Sequence, residues 1–268
     1  MYVLVDIGGT KTRIAETRDL VSFGTPLIVD TPKERAEIAA YVAKIVRRMA
    51  GGESIERAAV GIVSPWQVVR DHSFQKEFSS RINAPVTLEN DAALVGLGEA
   101  HFGAGRGSRI FVYLTVSTGL NGARIVEGRV DPSTQGFEIG GQYLSTEGTT
   151  SLEELISGHA VEKHYGVYPK ELGKDHPVWE EEARLLAYGV HNTLLHWSPD
   201  RVALGGSMMN EIGIPIPRVE AHLRDVMRKF PSIPPLVHAE LGELGGLWGS
   251  LALLRQITRG SASGDTFL

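Results

Sequence analysis

Apolar residues along the chain occur either in short continuous runs or at intervals of three and four positions. The short runs predict buried strands, and the three-and-four spacing predicts amphipathic helices. The runs that we interpret as strands cover residues 2–5, 13–15, 58–63, 85–88, 201–204 and 236–239. Strands that alternate with helices in this way indicate an α/β protein.

Two segments give the clearest helix signals. Thr31 and Pro32 predict a helix start, with Thr31 as the N-cap and Pro32 at the first helical position. The apolar stripe of this helix consists of Ala39, Val42, Ala43, Val46 and Met49, and Gly51 and Gly52 end it. The second helix covers residues 179–197, and its inner face consists of Ala183, Leu186, Ala187, Val190, Leu194 and Leu195. Further helices are predicted at 92–102, 151–157, 218–229 and 243–257, followed by a mobile tail at 259–268.

Length and glycine content bear on the number of domains. The chain has 268 residues, of which 42% are hydrophobic, and this favours two domains over one. The glycine-rich segment 103–108 is the predicted boundary. We expect an N-terminal domain of residues 1–105, joined by a C-terminal helix at 245–258, and a second domain of residues 106–244.

Composition excludes several classes of function. Without cysteine, the chain cannot form disulfides, thiol nucleophiles or thiolate metal sites. A net charge of -5 has the wrong sign for a protein that binds nucleic-acid phosphates. The N-terminus lacks a signal-peptide pattern, and no run approaches the ~20 apolar residues of a membrane span. We therefore predict a cytoplasmic protein whose partner is a small molecule, with no nucleic acid and no membrane.

The most informative turn follows the first strand and reads Asp-Ile-Gly-Gly-Thr-Lys. Gly8 and Gly9 allow positive φ and let backbone N–H groups approach an anion closely. Thr10 and Lys11 could reach phosphate oxygens, and Asp6 could hold a metal ion through water. A two-glycine hairpin turn without any ligand explains the same residues equally well.

A second strand-turn-strand pattern occurs about one domain later. Residues 3–16 and 113–127 share it, and such a repeat predicts two similar domains that each offer a small-residue turn to one phosphate chain. Chance similarity between two hairpins remains the alternative. Gly205 and Gly206 follow another predicted strand, where the close approach of a flat ring to the backbone would require glycine.

Four polar side chains that follow strands or begin helices are candidates for binding or catalysis. Asn90 and Asp91 stand at a strand-to-helix junction, the place where open α/β sheets bind ligands. An N-cap and a first-turn acid are a purely structural explanation of the same pair. Glu138 lies among glycines and Glu153 begins a helix, and their carboxylates suit sugar hydroxyls because each accepts several hydrogen bonds. Glu153 and Glu154 are explained equally well as first-turn acids.

The remaining candidates are weaker. Trp66 follows a predicted strand and lines a cleft or packs under a loop. His159 and His164 lack the i, i+4 spacing of a helical zinc pair, so we interpret both as ordinary residues.

Together these segments resemble the ROK family of sugar kinases, which also includes sugar-responsive repressors. Residues 6–11 resemble its first phosphate motif, and residues 115–122 resemble its second, with Ser117 where a glycine is usual. Residues 204–206 resemble the adenosine segment. Residues 89–92 resemble the segment that carries the sugar-binding asparagine and the catalytic aspartate. The resemblance extends over nearly the whole chain.

The resemblance implies phosphorylation of a hexose or amino sugar at a hydroxyl, with ATP and Mg²⁺ as cofactors and a homodimer as the assembly. The implied fold is a two-domain actin-like ATPase fold of the ribonuclease-H type, with ATP and sugar in the interdomain cleft. Asp91 would be the catalytic base, and Asp6 would hold Mg²⁺ through water. The implied ATP-binding residues are Asp6, Gly8, Gly9, Thr10, Lys11, Ser117, Thr118, Gly119, Gly205 and Gly206. The implied sugar-binding residues are Asn90, Asp91, Glu138 and Glu153.

Two departures from the family pattern affect the sugar site. Gly141 stands where the family usually has a histidine that contacts the sugar. Residues 145–151 replace the family's zinc-binding cysteine cluster, so we expect no zinc site. A regulator or a non-catalytic sugar-binding protein of the same fold therefore remains the alternative. The short segment before the first phosphate turn and the negative net charge argue against a DNA-binding repressor.

Overall fold

The computed structural model describes residues 1–62 and 73–263, and this part of the chain forms two compact units. Unit 1 comprises residues 1–98 and the segment from Glu243 onward, and unit 2 comprises Glu99–Gly242. Trp66 and the loop around it lie outside the described residues.

Unit 1 contains a five-stranded mixed sheet with the order β3-β2-β1-β4-β5. Its strands are β1 Tyr2–Ile7, β2 Lys11–Thr17, β3 Leu27–Asp30, β4 Arg57–Ile62 and β5 Val86–Asn90. Strands β1, β2 and β3 pair antiparallel, whereas β1, β4 and β5 pair parallel. The carboxyl ends of the three parallel strands therefore lie along one edge of the sheet.

Helices account for most of the remaining described chain. They are α1 Arg35–Ala50, α2 Ser73–Ile82, α3 Asp91–Phe102, α4 Leu152–Ile156, α5 Gly158–Tyr165, α6 Val178–Trp197, α7 Ile216–Val226 and α8 Gly245–Ser263. The predicted mobile tail is wrong for residues 259–263, because α8 continues to Ser263 instead of ending near residue 257, and residues 264–268 of that tail lie outside the described residues.

The predicted apolar stripe of α1 is confirmed, but its predicted start is wrong. The buried residues of this helix are Ile38, Ala39, Val42, Ala43 and Val46, which join the core of unit 1, with Met49 partly buried beside them. Each fully buried valine or isoleucine side chain among them contributes roughly 1.5–3 kcal/mol. Glu34, not Thr31, is the N-cap, and it makes no side-chain capping bond. Thr31 is unavailable because its polar groups bond to the turn after β1.

Unit 2 repeats the sheet topology of unit 1. Its order is β10-β9-β6-β7-β8, and its strands are β6 Ile110–Val116, β7 Leu120–Val126, β8 Arg129–Val130, β9 Arg201–Gly205 and β10 Leu236–His238. An antiparallel hairpin, β6 with β7, again lies beside two parallel strands. The predicted internal repeat is therefore confirmed as a repeat of topology.

Helix α6 packs its apolar face into the core of unit 2, together with α7. The predicted inner face is buried at Ala183, Leu186, Ala187, Val190 and Leu194, but Leu195 is 37% exposed. An α-helix turns about 100° per residue. Leu195 therefore points away from the stripe that ends at Leu194, and its predicted burial is wrong.

Candidate active site

The first glycine turn of unit 1 connects β1 to β2. The N–H of Gly8 donates to the carbonyl oxygen of Lys11 at 3.0 Å. Neither Gly8 nor Gly9 has a positive φ, which corrects the predicted reason for their presence. A Cβ on Gly8 would lie 3.0 Å from the Lys11 carbonyl oxygen, whereas a Cβ on Gly9 would meet nothing within 4 Å. Close packing against Lys11 therefore explains the glycine at position 8. The space beside Gly9 is open, and we call this side of the turn the open face.

The two polar residues of this turn are both exposed. Lys11 Nζ lies 2.6 Å from Asp30 Oδ1, and both side chains of this ion pair are largely open to solvent. Thr10 accepts a backbone hydrogen bond through its carbonyl oxygen. An exposed ion pair is worth about 0–1 kcal/mol, so the Lys11 ammonium is easily released to another anion.

Asp6 is a buried carboxylate at the end of β1. A Cβ on Gly246, in the first turn of α8, would come within 2.5–2.9 Å of its carboxyl group. Arg13 pairs with Asp6 across the hairpin and brings Nη1 to 3.8 Å from Oδ2. The pKa of Asp6 is raised to about 6. Burial is the main cause, the negative charge of Asp91 adds to it, and the positive charge of Arg13 opposes both.

Asn90 and Asp91 occupy the junction of β5 and α3. Asn90 Oδ1 accepts from the N–H of Ala93 at 3.0 Å, so its structural role as a cap is confirmed. Asp91 Oδ1 accepts from the N–H of Ala92 at 2.8 Å, and burial raises the pKa of Asp91. A Cβ on Gly61 would lie 3.6 Å from both Asp6 Oδ1 and the Asp91 Cα. The two aspartates therefore flank one glycine of β4.

Two further residues of unit 1 were missed by sequence reasoning. Burial raises the pKa of Glu89, whose Oε1 accepts from the N–H of Asn90 at 2.8 Å. Arg13 also contacts Glu243 at 3.2 Å, and its buried Nε finds no hydrogen-bond partner among the described residues. The register of the first hairpin could have indicated Arg13, since it stands opposite Asp6.

In unit 2 the second turn, Ser117 to Gly119, connects β6 to β7. The carbonyl oxygens of Ser117 and Thr118 accept from the N–H groups of Gly158 at 2.6 Å and His159 at 3.2 Å. A Cβ on Gly119 would lie 2.6 Å from Glu153 Oε2. The start of α5 and one carboxylate therefore pack directly against this turn.

The structure separates the roles of two neighbouring glutamates. Glu154 forms a capping box with Ser151 at the start of α4. Glu153 Oε2 instead accepts from the N–H of Leu120 at 2.7 Å, so its carboxylate lies where the second turn ends and β7 begins. Both glutamates lie in the first turn of α4, as the structural interpretation predicts, but only Glu154 caps the helix. The other carboxylate oxygen of Glu153 has no hydrogen-bond partner among the described residues.

Glu138 is exposed and stands just before the short 3-10 turn Ile139–Gly141. A Cβ on Gly140 would clash with the Leu120 carbonyl oxygen and lie 3.2 Å from the Cβ of Glu153, so this turn packs against the same region. A Cβ on Gly141 would meet nothing within 4 Å. The position at which the resemblance expects a histidine is therefore open.

The second glycine pair of unit 2 lies beside the second turn. Gly206 has φ 92°, and a Cβ there would clash with the Val116 carbonyl oxygen at the end of β6. A Cβ on Gly205 would lie 2.8 Å from the Tyr113 hydroxyl oxygen. The segment that follows is a short 3-10 turn, Ser207–Met209.

Two negative findings apply to residues 1–62 and 73–263. No group of three or more histidine, aspartate and glutamate side chains could hold a metal ion there. No helix in the same ranges has the length and hydropathy needed to span a membrane.

Comparison with known proteins adds evidence from outside the chain. The family model of the ROK family matches residues 2–257. A fructokinase from Pediococcus pentosaceus is 25% identical over 198 residues, which is 68% of either chain. The ROK hexokinase from Thermus thermophilus aligns with a TM-score of 0.80 and 27% identity, over 97% of this chain and 99% of that one.

A second solved structure carries bound ligands. It is a ROK family glucokinase from Streptomyces griseus in complex with glucose and AMPPNP, with a TM-score of 0.77, 21% identity, and coverage of 95% of this chain and 99% of that one. These matches confirm the predicted fold class, the α/β actin-like ATPase fold.

Proposed function

Because this chain belongs to the ROK family, we propose that it is an ATP-dependent sugar kinase that phosphorylates a hydroxyl of a hexose or amino sugar. The observation that carries the proposal is the position of Asp91 at the β5 to α3 junction, with Asp6 and the first glycine turn in the same unit. Sugar kinase relatives and a structural relative with glucose and AMPPNP support the substrate class.

Asp91 acts as the base that accepts the proton of the attacking hydroxyl. Burial raises its pKa, and a carboxylate with a raised pKa is a stronger base than an ordinary exposed one. Phosphoryl transfer proceeds through a loose transition state, so positioning matters more than high basicity. Asn90 places its side chain next to this base and binds sugar hydroxyls.

Asp6 fits the role of a magnesium ligand through water. Its pKa of about 6 leaves it mainly ionised at neutral pH, and carboxylate oxygen is a hard ligand of the kind that Mg²⁺ prefers. A divalent cation would also offset the repulsion between Asp6 and Asp91. The chemistry that Mg²⁺ supplies when bound is neutralisation of charge on the transferred phosphoryl group.

The glycine turns bind the nucleotide, and the carboxylates of unit 2 bind the sugar. The open face at Gly9 presents backbone N–H groups to phosphate, with Thr10 and Lys11 beside it. The turn from Ser117 to Gly119 contributes in the same way, and Gly205 and Gly206 allow the adenosine ring to approach the backbone closely. Glu138 and Glu153 accept hydrogen bonds from sugar hydroxyls, because carboxylates form strong charge-assisted bonds.

The decisive experiment is phosphorylation by the purified protein with MgATP and a panel of sugars. The panel contains glucose, fructose, mannose, N-acetylglucosamine and N-acetylmannosamine, and sugar phosphate is detected directly by mass spectrometry. We expect one of them to be phosphorylated with kcat above 1 per second, roughly the lower limit for kinases. Sugar binding without any phosphorylation would contradict the kinase proposal and establish the non-catalytic alternative.

A further inference from the structure

The residue after β3 holds the first glycine turn from one side. The hydroxyl oxygen of Thr31 lies 2.8 Å from the carbonyl oxygen of Gly8 and 2.9 Å from the hydroxyl oxygen of Thr12. A threonine hydroxyl has one proton, and a carbonyl oxygen only accepts. Thr31 therefore donates to Gly8 and accepts from Thr12, which makes a directed chain of two hydrogen bonds.

The backbone of Thr31 adds a third bond to the same turn, because its N–H donates to the Thr10 carbonyl oxygen at 2.9 Å. A trans peptide is planar, and its C=O and N–H groups point in opposite directions. Fixing the carbonyl of Gly8 therefore directs the N–H of Gly9 to the opposite side. Fixing the carbonyl of Thr10 directs the N–H of Lys11 in the same manner.

We propose that Thr31 is a positioning residue, which orients the peptide groups of the first glycine turn toward a nucleotide phosphate. The inference rests on the proposed kinase function, since it specifies how one phosphate-binding element is kept in shape. Thr31 acts through Gly8 and Thr10 and does not itself contact the ligand. Thr12 is fully buried, so its hydroxyl has no water to replace Thr31 and loses its partner when Thr31 is changed.

The test replaces the hydroxyl with a methyl group of similar size. Thr31→Val removes both side-chain hydrogen bonds and keeps the backbone bond, and Thr31→Ser retains the hydroxyl. We expect Thr31→Val to weaken binding of AMPPNP with Mg²⁺ about tenfold. Thr31→Ser should bind within about twofold of the natural protein, and sugar affinity should be unchanged in both variants. Calorimetry measures the affinities.

Thr17 provides a matched control in the same sheet. It is buried, and its hydroxyl donates to Asp19 Oδ1 at 3.2 Å and accepts from the N–H of Leu20 at 3.1 Å, at the other end of β2. Thr17→Val also loses one donated and one accepted side-chain hydrogen bond, so it should lower thermal stability similarly without changing AMPPNP affinity. Equal weakening by Thr17→Val and Thr31→Val would show a general loss of stability and overturn the inference.

Amide hydrogen exchange separates this inference from the kinase proposal. Thr31→Val should increase exchange in residues 8–12, whereas Thr17→Val should not. Natural protein that binds AMPPNP but phosphorylates no sugar would refute the kinase and leave the positioning role standing. Unchanged exchange and unchanged AMPPNP affinity in Thr31→Val would refute the positioning role, whatever the protein phosphorylates.

Discussion

The two glycine turns are built on the same sheet topology but are held in different ways. In unit 1, neutral groups of Thr31 bond to carbonyl oxygens of the turn. In unit 2, the N–H groups of Gly158 and His159 bond to carbonyl oxygens, and the carboxylate of Glu153 bonds to the N–H of Leu120. The carbonyl groups of the first turn are therefore held by neutral donors, with only the exposed Lys11–Asp30 ion pair beside them, whereas a carboxylate bonds directly to the backbone at the second turn.

A repeated strand-turn-strand unit therefore does not place the same polar groups around both turns. An anion near the first turn meets an open face at Gly9 and the ammonium of Lys11. At the second turn the N–H of Leu120 is already bonded to Glu153. We therefore propose that the first turn binds phosphate more strongly than the second, and that Glu153 binds sugar hydroxyls.

The strongest test of this division compares one carboxylate from each unit. Asp91→Asn keeps the shape but cannot take a proton, so we expect kcat to fall about 10²–10⁴-fold with sugar affinity largely intact. Glu153→Gln should weaken sugar binding more than it lowers kcat, because a neutral amide makes weaker hydrogen bonds. Single-turnover phosphorylation and sugar titration measure the two effects. A loss below tenfold in Asp91→Asn would remove this residue from the role of base.

A second comparison concerns two buried acids, one in each unit. Asp6 has the guanidinium of Arg13 beside it, whereas Glu182 on α6 has a buried carboxylate oxygen without a hydrogen-bond partner among the described residues. Burial raises the pKa of Glu182 from 4.5 to about 8. Between these values the unfolded chain has released the proton that the folded protein keeps, so stability falls as pH rises through this window. We expect the free energy of unfolding to decrease by roughly 2–4 kcal/mol from pH 5 to pH 8.5 through this group.

Glu182→Gln should remove this pH dependence because the amide has no charge to release. Urea unfolding at pH 5, 7 and 8.5 measures it. Glu181→Gln serves as the control, since Glu181 is exposed and paired with Arg184 at 2.6 Å, and this variant should keep the slope. An unchanged slope in Glu182→Gln would show that another group is responsible.

A third test adds one methyl group to each turn. In Gly119→Ala the new Cβ would displace the Glu153 carboxylate from the N–H of Leu120, and we expect a loss of about 1–2 kcal/mol in unfolding free energy together with weaker sugar binding. In Gly9→Ala the Cβ meets open space, and stability should change by less than about 0.5 kcal/mol. Equal losses in the two variants would remove the distinction between the turns.

The smallest expected effect concerns the ion pair of Lys11. Asp30→Asn removes its charged partner, so nucleotide should bind slightly more tightly, by less than about threefold, and the difference should vanish at high salt. Glu77→Gln removes an exposed partner of Arg81 elsewhere in unit 1 and should have no such effect. Weaker nucleotide binding in Asp30→Asn would show that Asp30 helps to place Lys11.

Local patterns predicted most of the strands, the repeat and the apolar stripe of α1, because periodicity depends only on neighbouring residues, but they missed the short strands β3 and β8. Thr31 shows where this approach fails. Its sequence satisfies a helix-start signature, but the carbonyl of Gly8 and the hydroxyl of Thr12 compete for it across the sheet. Such competition depends on which strands become neighbours, and a helix-start pattern contains no information about that.

Sequence patterns likewise predicted only part of the candidate site. The capping-box spacing from Ser151 identifies Glu154 in the sequence, but only the folded chain places Glu153 against Leu120. The contact of Gly246 with Asp6 joins residues far apart in the chain. Glu182 follows two other glutamates in the sequence, but in the folded chain it lies on the buried face of α6 with Trp179 and Leu186.

The packing of α8 against unit 1 has a consequence for synthesis on the ribosome. Leu247, Leu251 and Leu254 are fully buried, and Gly246 closes the environment of Asp6. All of these residues leave the ribosome after unit 2, which is continuous in the chain. Domains generally fold as units during translation. The unit that begins the chain is therefore the last to be completed, and a nascent chain ending at residue 242 lacks the helix that unit 1 needs for its core.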